Sequence, residues 1–197
     1  MAQLWSCCLR KVNQMSKVGV FFGTGYEEIE ALAVVDLLRR ANVETDMVSV
    51  MEEKTVTGAH SIPVVMDKMI SEVDFSQLDM IVLPGGMSGT RKLEACEPLM
   101  EQVDAFIAAG KAVCAICAAP SILGHRGHLQ GKKAIAYPGF EEQLTGAQVV
   151  YEPAVVDGNI ITGRGMGCAV EFGLAIVEYL QGKEVRDALS DKIIFMK

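Results

Sequence analysis

Two hydrophobic periods alternate along this chain, and the switches between them give an α/β order. Short apolar runs, partly β-branched, predict buried strands at Lys17–Phe22, Val43–Met51, Met80–Pro84, Ala112–Ile116 and Lys133–Ala136. Apolar positions spaced by three and four residues predict helices over 27–41, 98–109 and 169–180. The first helix has the stripe Ala31, Val34, Val35 and Leu38. Thr55–Gly58 and Ser61–Met66 predict a small excursion of two strands, and Pro63 marks the second as an edge. Val149–Val156 and Asn159–Thr162 predict a hairpin on Asp157-Gly158. Gly110 and Gly182 close helices, and Lys183–Ser190 forms a last short one. Strands alternating with helices imply a mainly parallel sheet covered on both faces.

The first sixteen residues break the pattern, being neither periodic nor alternating. We expect residues 1–16 to be an N-terminal extension outside the fold, with Met15 a natural start, and residues 17–197 to form one domain. A targeting signal is the weaker reading, because Arg10-Lys11 follows the apolar part instead of preceding it.

Composition narrows the function classes. Hydrophobic residues make up 50% of the 197 and charged ones 22%, which argues against disorder. A net charge of −7 gives no general attraction to nucleic acid or to an anionic membrane. No apolar run approaches the roughly 20 residues of a membrane span. The cysteines Cys7, Cys8, Cys96, Cys114, Cys117 and Cys168 show no paired framework, so a reducing cytoplasm is expected.

The chemistry concentrates at Lys111-Ala-Val-Cys-Ala-Ile-Cys-Ala-Ala-Pro-Ser-Ile-Leu-Gly124. A buried strand there runs into a helix without a loop, with Cys117 at the join and Pro120 in the helix's first turn. A thiol at such a corner, beside a helix N-terminus, is expected to ionise easily. Cys114 has dithiol spacing from Cys117 but falls inside the strand, where alternation turns it away and makes it a core residue. His125 and His128 lie in a glycine-flanked helix end, a solvated cap and not a metal site. Gly23-Thr-Gly-Tyr26 lacks the third glycine and the Gly-Lys-Ser/Thr of a nucleotide loop, so no cofactor is expected. No histidine follows Cys117 where a base would arrive; Tyr137 stands there. Of the glutamates opening the first helix, two are explained by the helix dipole. Glu30, on the flank of the apolar stripe, is placed to be desolvated and kept protonated, whereas Glu28 faces away from that flank. Gly85-Gly86 ends a strand beside Cys117, where backbone N–H groups could meet an oxyanion or simply form a turn. Ile29 lies on the polar face of its helix, by chance or as a subunit contact.

Five segments together resemble the ThiJ/PfpI superfamily, in the branch of the parkinsonism-associated deglycase and bacterial YajL. They are Gly25–Glu30, Leu83–Gly86, Ala115–Pro120, Gly163–Gly167 and Glu171–Glu178, in order from about Lys17 to the C-terminus. The resemblance implies a flavodoxin-like three-layer sandwich with a nucleophile elbow, found as a homodimer with Ile29 at the contact. It implies Cys117 as nucleophile, Glu30 as the protonated carboxyl beside its sulfur, and the N–H groups of Gly86 and Ala118 as anion donors. Arg164 takes a structural or interface role. The activities implied are glutathione-independent glyoxalase or protein deglycase on small dicarbonyls or glycated proteins. The alternative is an oxidative-stress sensor or redox chaperone working through a Cys117 sulfinic acid. Three positions depart from the branch: Tyr137 where histidine is common, Ala119 where glycine is common, and His60 where arginine is common. Cys117-Ala118 lacks the Cys-His of the peptidase branch, and no His and Glu pair of a glutamine amidotransferase follows.

Overall fold

Continuous apolar runs become central strands, because a strand buried on both faces has no polar side to alternate with. In the computed structural model, which describes residues 16–195, the elements begin with β1 (Lys17–Phe22), α1 (Glu28–Arg40) and β2 (Glu44–Ser49). The excursion β3 (Thr55–Thr57) and β4 (Pro63–Val65) follows, then β5 (Lys68–Met69) and β6 (Met80–Leu83). Next come α2 (Met87–Glu94), α3 (Glu97–Ala108), β7 (Ala112–Ile116) and α4 (Pro120–His125). The chain continues through β8 (Lys133–Ala134), β9 (Gln148–Val149), β10 (Ala154–Asp157), β11 (Ile160–Gly163), α5 (Ala169–Gln181) and α6 (Lys183–Lys192). The expected extension lies outside the described residues except for Ser16, whose carbonyl accepts the Glu44 N–H at 3.1 Å.

The main sheet has seven strands in the order β10-β11-β7-β6-β1-β2-β5, all parallel neighbours except the antiparallel pair β10–β11. Strand alternation divides the core into two layers. Val18, Val20, Phe22, Met80, Val82, Cys114 and Ile116 face the side covered by α1 and α5. Phe21, Ile81, Leu83, Val113 and Ala115 face the side covered by α3 and α4. The architecture is therefore the expected α/β three-layer sandwich, flavodoxin-like in its parallel centre. α5 crosses α1 closely at Gly173, where a Cβ would lie 2.5 Å from Leu37 Cδ1.

Four local features differ from the expectation. Residues 87–94 form α2, which was not foreseen because only Gly89, Thr90 and Leu93 are buried and no apolar stripe marks it. Val149 is not in the hairpin; it pairs with Ala134 in the two-stranded β8–β9 ribbon, and the hairpin strand starts only at Ala154. The hairpin turn is Gly158-Asn159, since Asp157 is already paired with Ile160. His125 and His128 are not free caps: each meets an acid, Glu94 at 2.7 Å and Asp104 at 2.6 Å respectively.

Candidate active site

β7 ends at Ile116, and Cys117 turns the chain into α4 with φ of 65°, the left-handed region. For a non-glycine residue that conformation costs on the order of 1–3 kcal/mol and persists only where neighbours over-determine it. They do so here. The Cys117 N–H donates to Gly163 O at 2.9 Å, and the Tyr137 N–H donates to Cys117 O at 2.8 Å. Ala119 N–H reaches back to Ile116 O at 3.1 Å, and Ser121 Oγ caps Ala118 O at 2.7 Å. β11 and the loop after β8 thus hold the thiol at the carboxyl end of the central strands.

Glu30 reaches this corner from the first turn of α1 and is 1% exposed. Its Oε2 accepts the Gly85 N–H at 3.0 Å, whereas Oε1 is buried with no partner in hydrogen-bond geometry. The Cys117 thiol is the side chain that interacts with this carboxyl. Gly85 is required by the close approach: a Cβ there would collide with Glu30 Oε2 and lie 2.6 Å from Cys117 Cβ. Gly86 has φ of 85°, and its N–H and that of Ala118 both point at the sulfur.

Burial pushes Glu30 up to about 7, and the nearby Glu27 charge adds to the rise, while the Cys117 and Gly85 hydrogen bonds oppose it. The expectation of an easily ionised thiol is not met in this state. Burial, followed by the charge and hydrogen bonding of Glu30, pushes Cys117 up to about 12, against the two amides. α4 spans only Pro120–His125, so its dipole offers little. Glu30 and Cys117 titrate as a coupled pair, each held toward its protonated form chiefly by burial. Losing one proton from the pair gives thiol and carboxylate or thiolate and carboxylic acid, and the thiolate form can deliver sulfur to an electrophile.

A cleft of about 620 Å³ opens over the pair. Glu27, Glu30, His60, Gly86, Cys117 and Tyr137 line it together with the 164–168 segment. Tyr137 is half exposed on one wall, whereas Gly85 and Ala118 do not line the cleft. Cys114 is fully buried in the core, apart from the site. Three lining residues carry unforeseen weight. Arg164 and Cys168 reach the cleft from the turn before α5, and His60 reaches it from the turn between β3 and β4. In the sequence His60 stands out only as a departure from the family pattern, since no sequence spacing connects residue 60 to residue 117.

His60 stands on Glu28, which is buried at 5% exposure and is more than a complement to the helix dipole. Burial works against its charge, but the His60 hydrogen bonds outweigh that and hold Glu28 below its usual value. Glu27, Glu28 and His60 are the described residues whose donor atoms come close enough for a metal ion, within 4.8 Å of one another. Both Glu28 oxygens, however, already accept from His60, the N–H at 2.7 Å and Nδ1 at 2.9 Å. The cluster is a closed ion pair and not an open cation site.

Comparison with known proteins gives one consistent answer. The DJ-1/PfpI family pattern matches residues 16–179. Protein DJ-1 homolog A of Arabidopsis thaliana is 39% identical over 86% of this chain, which spans 44% of that relative's length. The protein named glutathione-independent glyoxalase DJR-1.2 of Caenorhabditis elegans is 29% identical over 87% of this chain and 91% of its own. Among solved structures, oxidised Toxoplasma gondii DJ-1 superposes with a TM-score of 0.89 at 34% identity, covering 92% of this chain and all of its own. The chain thus spans less than half the length of the Arabidopsis relative it matches.

Proposed function

This chain belongs to the DJ-1/PfpI family, and from that premise we propose a cysteine-dependent enzyme acting on reactive 2-oxoaldehydes or early glycation adducts. One observation carries the reading: a strained, cleft-facing thiol lies against a carboxyl that burial raises to about 7. In this reading the Cys117 sulfur adds to the aldehyde carbon, and the pair's remaining proton goes to the aldehyde oxygen, leaving Glu30 ionised. Glu30 then takes the proton from that carbon and returns it to the adjacent carbonyl carbon. The first carbon is oxidised as the second is reduced, so no external oxidant, metal or cofactor enters. Water adds to the resulting thioester and gives its proton to Glu30. A 2-hydroxy acid leaves, and the sulfur regains its electron pair. The Gly86 and Ala118 N–H groups face the oxyanion formed in the first and last steps, and Tyr137 bounds the substrate's side of the cleft. The name of the worm relative supports this chemistry.

The expected result is lactate from methylglyoxal with wild-type protein and none with Cys117→Ala. Equal rates in both, or no lactate from either, would refute the reading. A second reading, a peroxide sensor or redox chaperone, is favoured by the two amides aimed at the Cys117 sulfur, which suit a sulfinate oxygen. It requires peptide mapping after mild peroxide to find Cys117 oxidised first, and it fails if Cys96 or Cys168 precedes it. We also place a homodimer contact on the α1 face that carries Ile29, which is 52% exposed.

A further inference from the structure

Rearranging a thiol adduct of a 2-oxoaldehyde needs two proton transfers, and Glu30 performs only the one between carbons. The other moves the hydroxyl proton of the first carbon to the oxygen of the second. A group for that step must lie in the same cleft and hold a proton that it can lose and regain.

His60 meets both conditions. Its ring lines the Cys117 cleft, and its side chain is 68% exposed. Its backbone is nevertheless firmly mounted. Gly25 N–H donates to Thr57 O at 2.8 Å, Ala59 N–H to Tyr26 O at 2.8 Å, and His60 N–H to Glu28 Oε1 at 2.7 Å. Nδ1 lies 2.9 Å from Glu28 Oε2, which assigns that nitrogen its hydrogen and leaves Nε2 without a protein partner. Gly58 makes room for this carboxylate: a Cβ there would lie 2.6 Å from Glu28 Cγ. A desolvated carboxylate under a histidine fixes the ring's tautomer and stabilises the imidazolium that forms in proton transfer.

We propose that His60 is a further catalytic residue, moving the oxygen-bound proton of the adduct through Nε2, with Glu28 as its positioning residue. The inference rests on the 2-oxoaldehyde reading above. As Glu30 removes the carbon proton, the Nε2–H bond breaks and an O–H bond forms on the second oxygen. The neutral ring then takes the hydroxyl proton of the first oxygen, and that oxygen's electron pair closes the new thioester carbonyl. The ring ends as it began. The charged groups around it favour the imidazolium start. The Glu28 hydrogen bond, then the charges of Glu27 and Glu28, raise His60 above its usual value. Across the cleft stand Glu30, Cys117, Tyr137, Arg164 and Cys168.

The test follows lactate from methylglyoxal in wild type, His60→Ala, Glu28→Gln and Cys117→Ala, with thermal melts to establish folding. His60→Ala should lower kcat by about 100-fold with little change in KM, and added imidazole should restore part of the rate. Glu28→Gln should move the basic limb of the pH–rate profile to lower pH, because an imidazolium without its anion is lost sooner. If His60→Ala keeps the wild-type kcat while Cys117→Ala is inactive, the His60 inference falls and the thiol reading stands. A rate loss with no imidazole rescue and an unmoved Glu28→Gln profile also overturns it, leaving a structural histidine. No lactate from wild type overturns both.

Discussion

Replacing Glu30 with glutamine should make the protein more stable at alkaline pH, although it removes a side chain of the reacting pair. Glutamine has the shape of the neutral acid and can still accept the Gly85 N–H, so below about pH 4.5 the two proteins carry equivalent groups. The carboxyl titrates at about 7 in the fold against a usual 4.5. At 1.36 kcal/mol per pH unit, that difference corresponds to roughly 3 kcal/mol. The sign is set by proton counting. Between those two values the folded chain retains a proton that the unfolded chain has released, so wild-type stability falls as pH rises through the window. It is fully present below 4.5 and lost above about 7. Urea unfolding of wild type and Glu30→Gln from about pH 4 to about pH 8 isolates the effect, because groups that Glu30 does not touch cancel in the difference, and the Cys117 thiol, which Glu30 does touch, stays protonated over that range. The difference should shift by roughly 3 kcal/mol toward the variant across the window and then level off. A difference independent of pH would show that Glu30 titrates as an ordinary surface acid, and the coupled-pair account of Cys117 would go with it.

Two further substitutions address the frame around the pair. Gly85→Ala puts a methyl group 2.6 Å from Cys117 Cβ and 2.9 Å from Ile116 O. Overpacking of that kind costs about 1–3 kcal/mol, so the unfolding midpoint should drop and thiol alkylation should change rate; a variant matching wild type in both would refute the close-approach argument. Ile29→Glu should halve the mass seen by light scattering if the α1 face joins two copies, and an unchanged mass would place the contact elsewhere.

The parallel centre of the fold was legible because β1, β6 and β7 are buried on both faces and read as unbroken apolar runs. α2 was not, since Ser88, Gly89 and Thr90 occupy its first turns and only Leu93 supplies a large buried side chain. Two-residue strands such as β5, β8 and β9 carry no period at all and exist only through their partners. At the site, the elbow could be read from an apolar strand giving way to Ala-Ala-Pro without a turn residue, and Glu30 from its flank position. The titration of Cys117 could not: a local reading sees the helix start but neither the burial nor the carboxyl that outweigh it. His60 was invisible for a different reason. It comes to the cleft through hydrogen bonds between the β3–β4 turn and residues 25–28, a pairing that no local pattern encodes.

One helical turn then accounts for how the two candidate proton-handling groups are arranged. Glu27 and Glu30 are three residues apart and so share a face. Both line the cleft, and the charge of Glu27 helps to raise Glu30. Glu28 is a single step, about 100°, further round the helix, which turns it away from the cleft floor and beneath the β3–β4 turn. A carboxyl at that position cannot reach the Cys117 sulfur, but it can hold a histidine whose ring returns to the same cleft. In the proposed reaction the helix period would bring two acids to one substrate by different routes: Glu30 directly, for carbon-bound protons, and Glu28 through an imidazole, for oxygen-bound ones. Moving either carboxyl by one residue would break its route, and α1 would then present charge to the core instead of chemistry to the cleft.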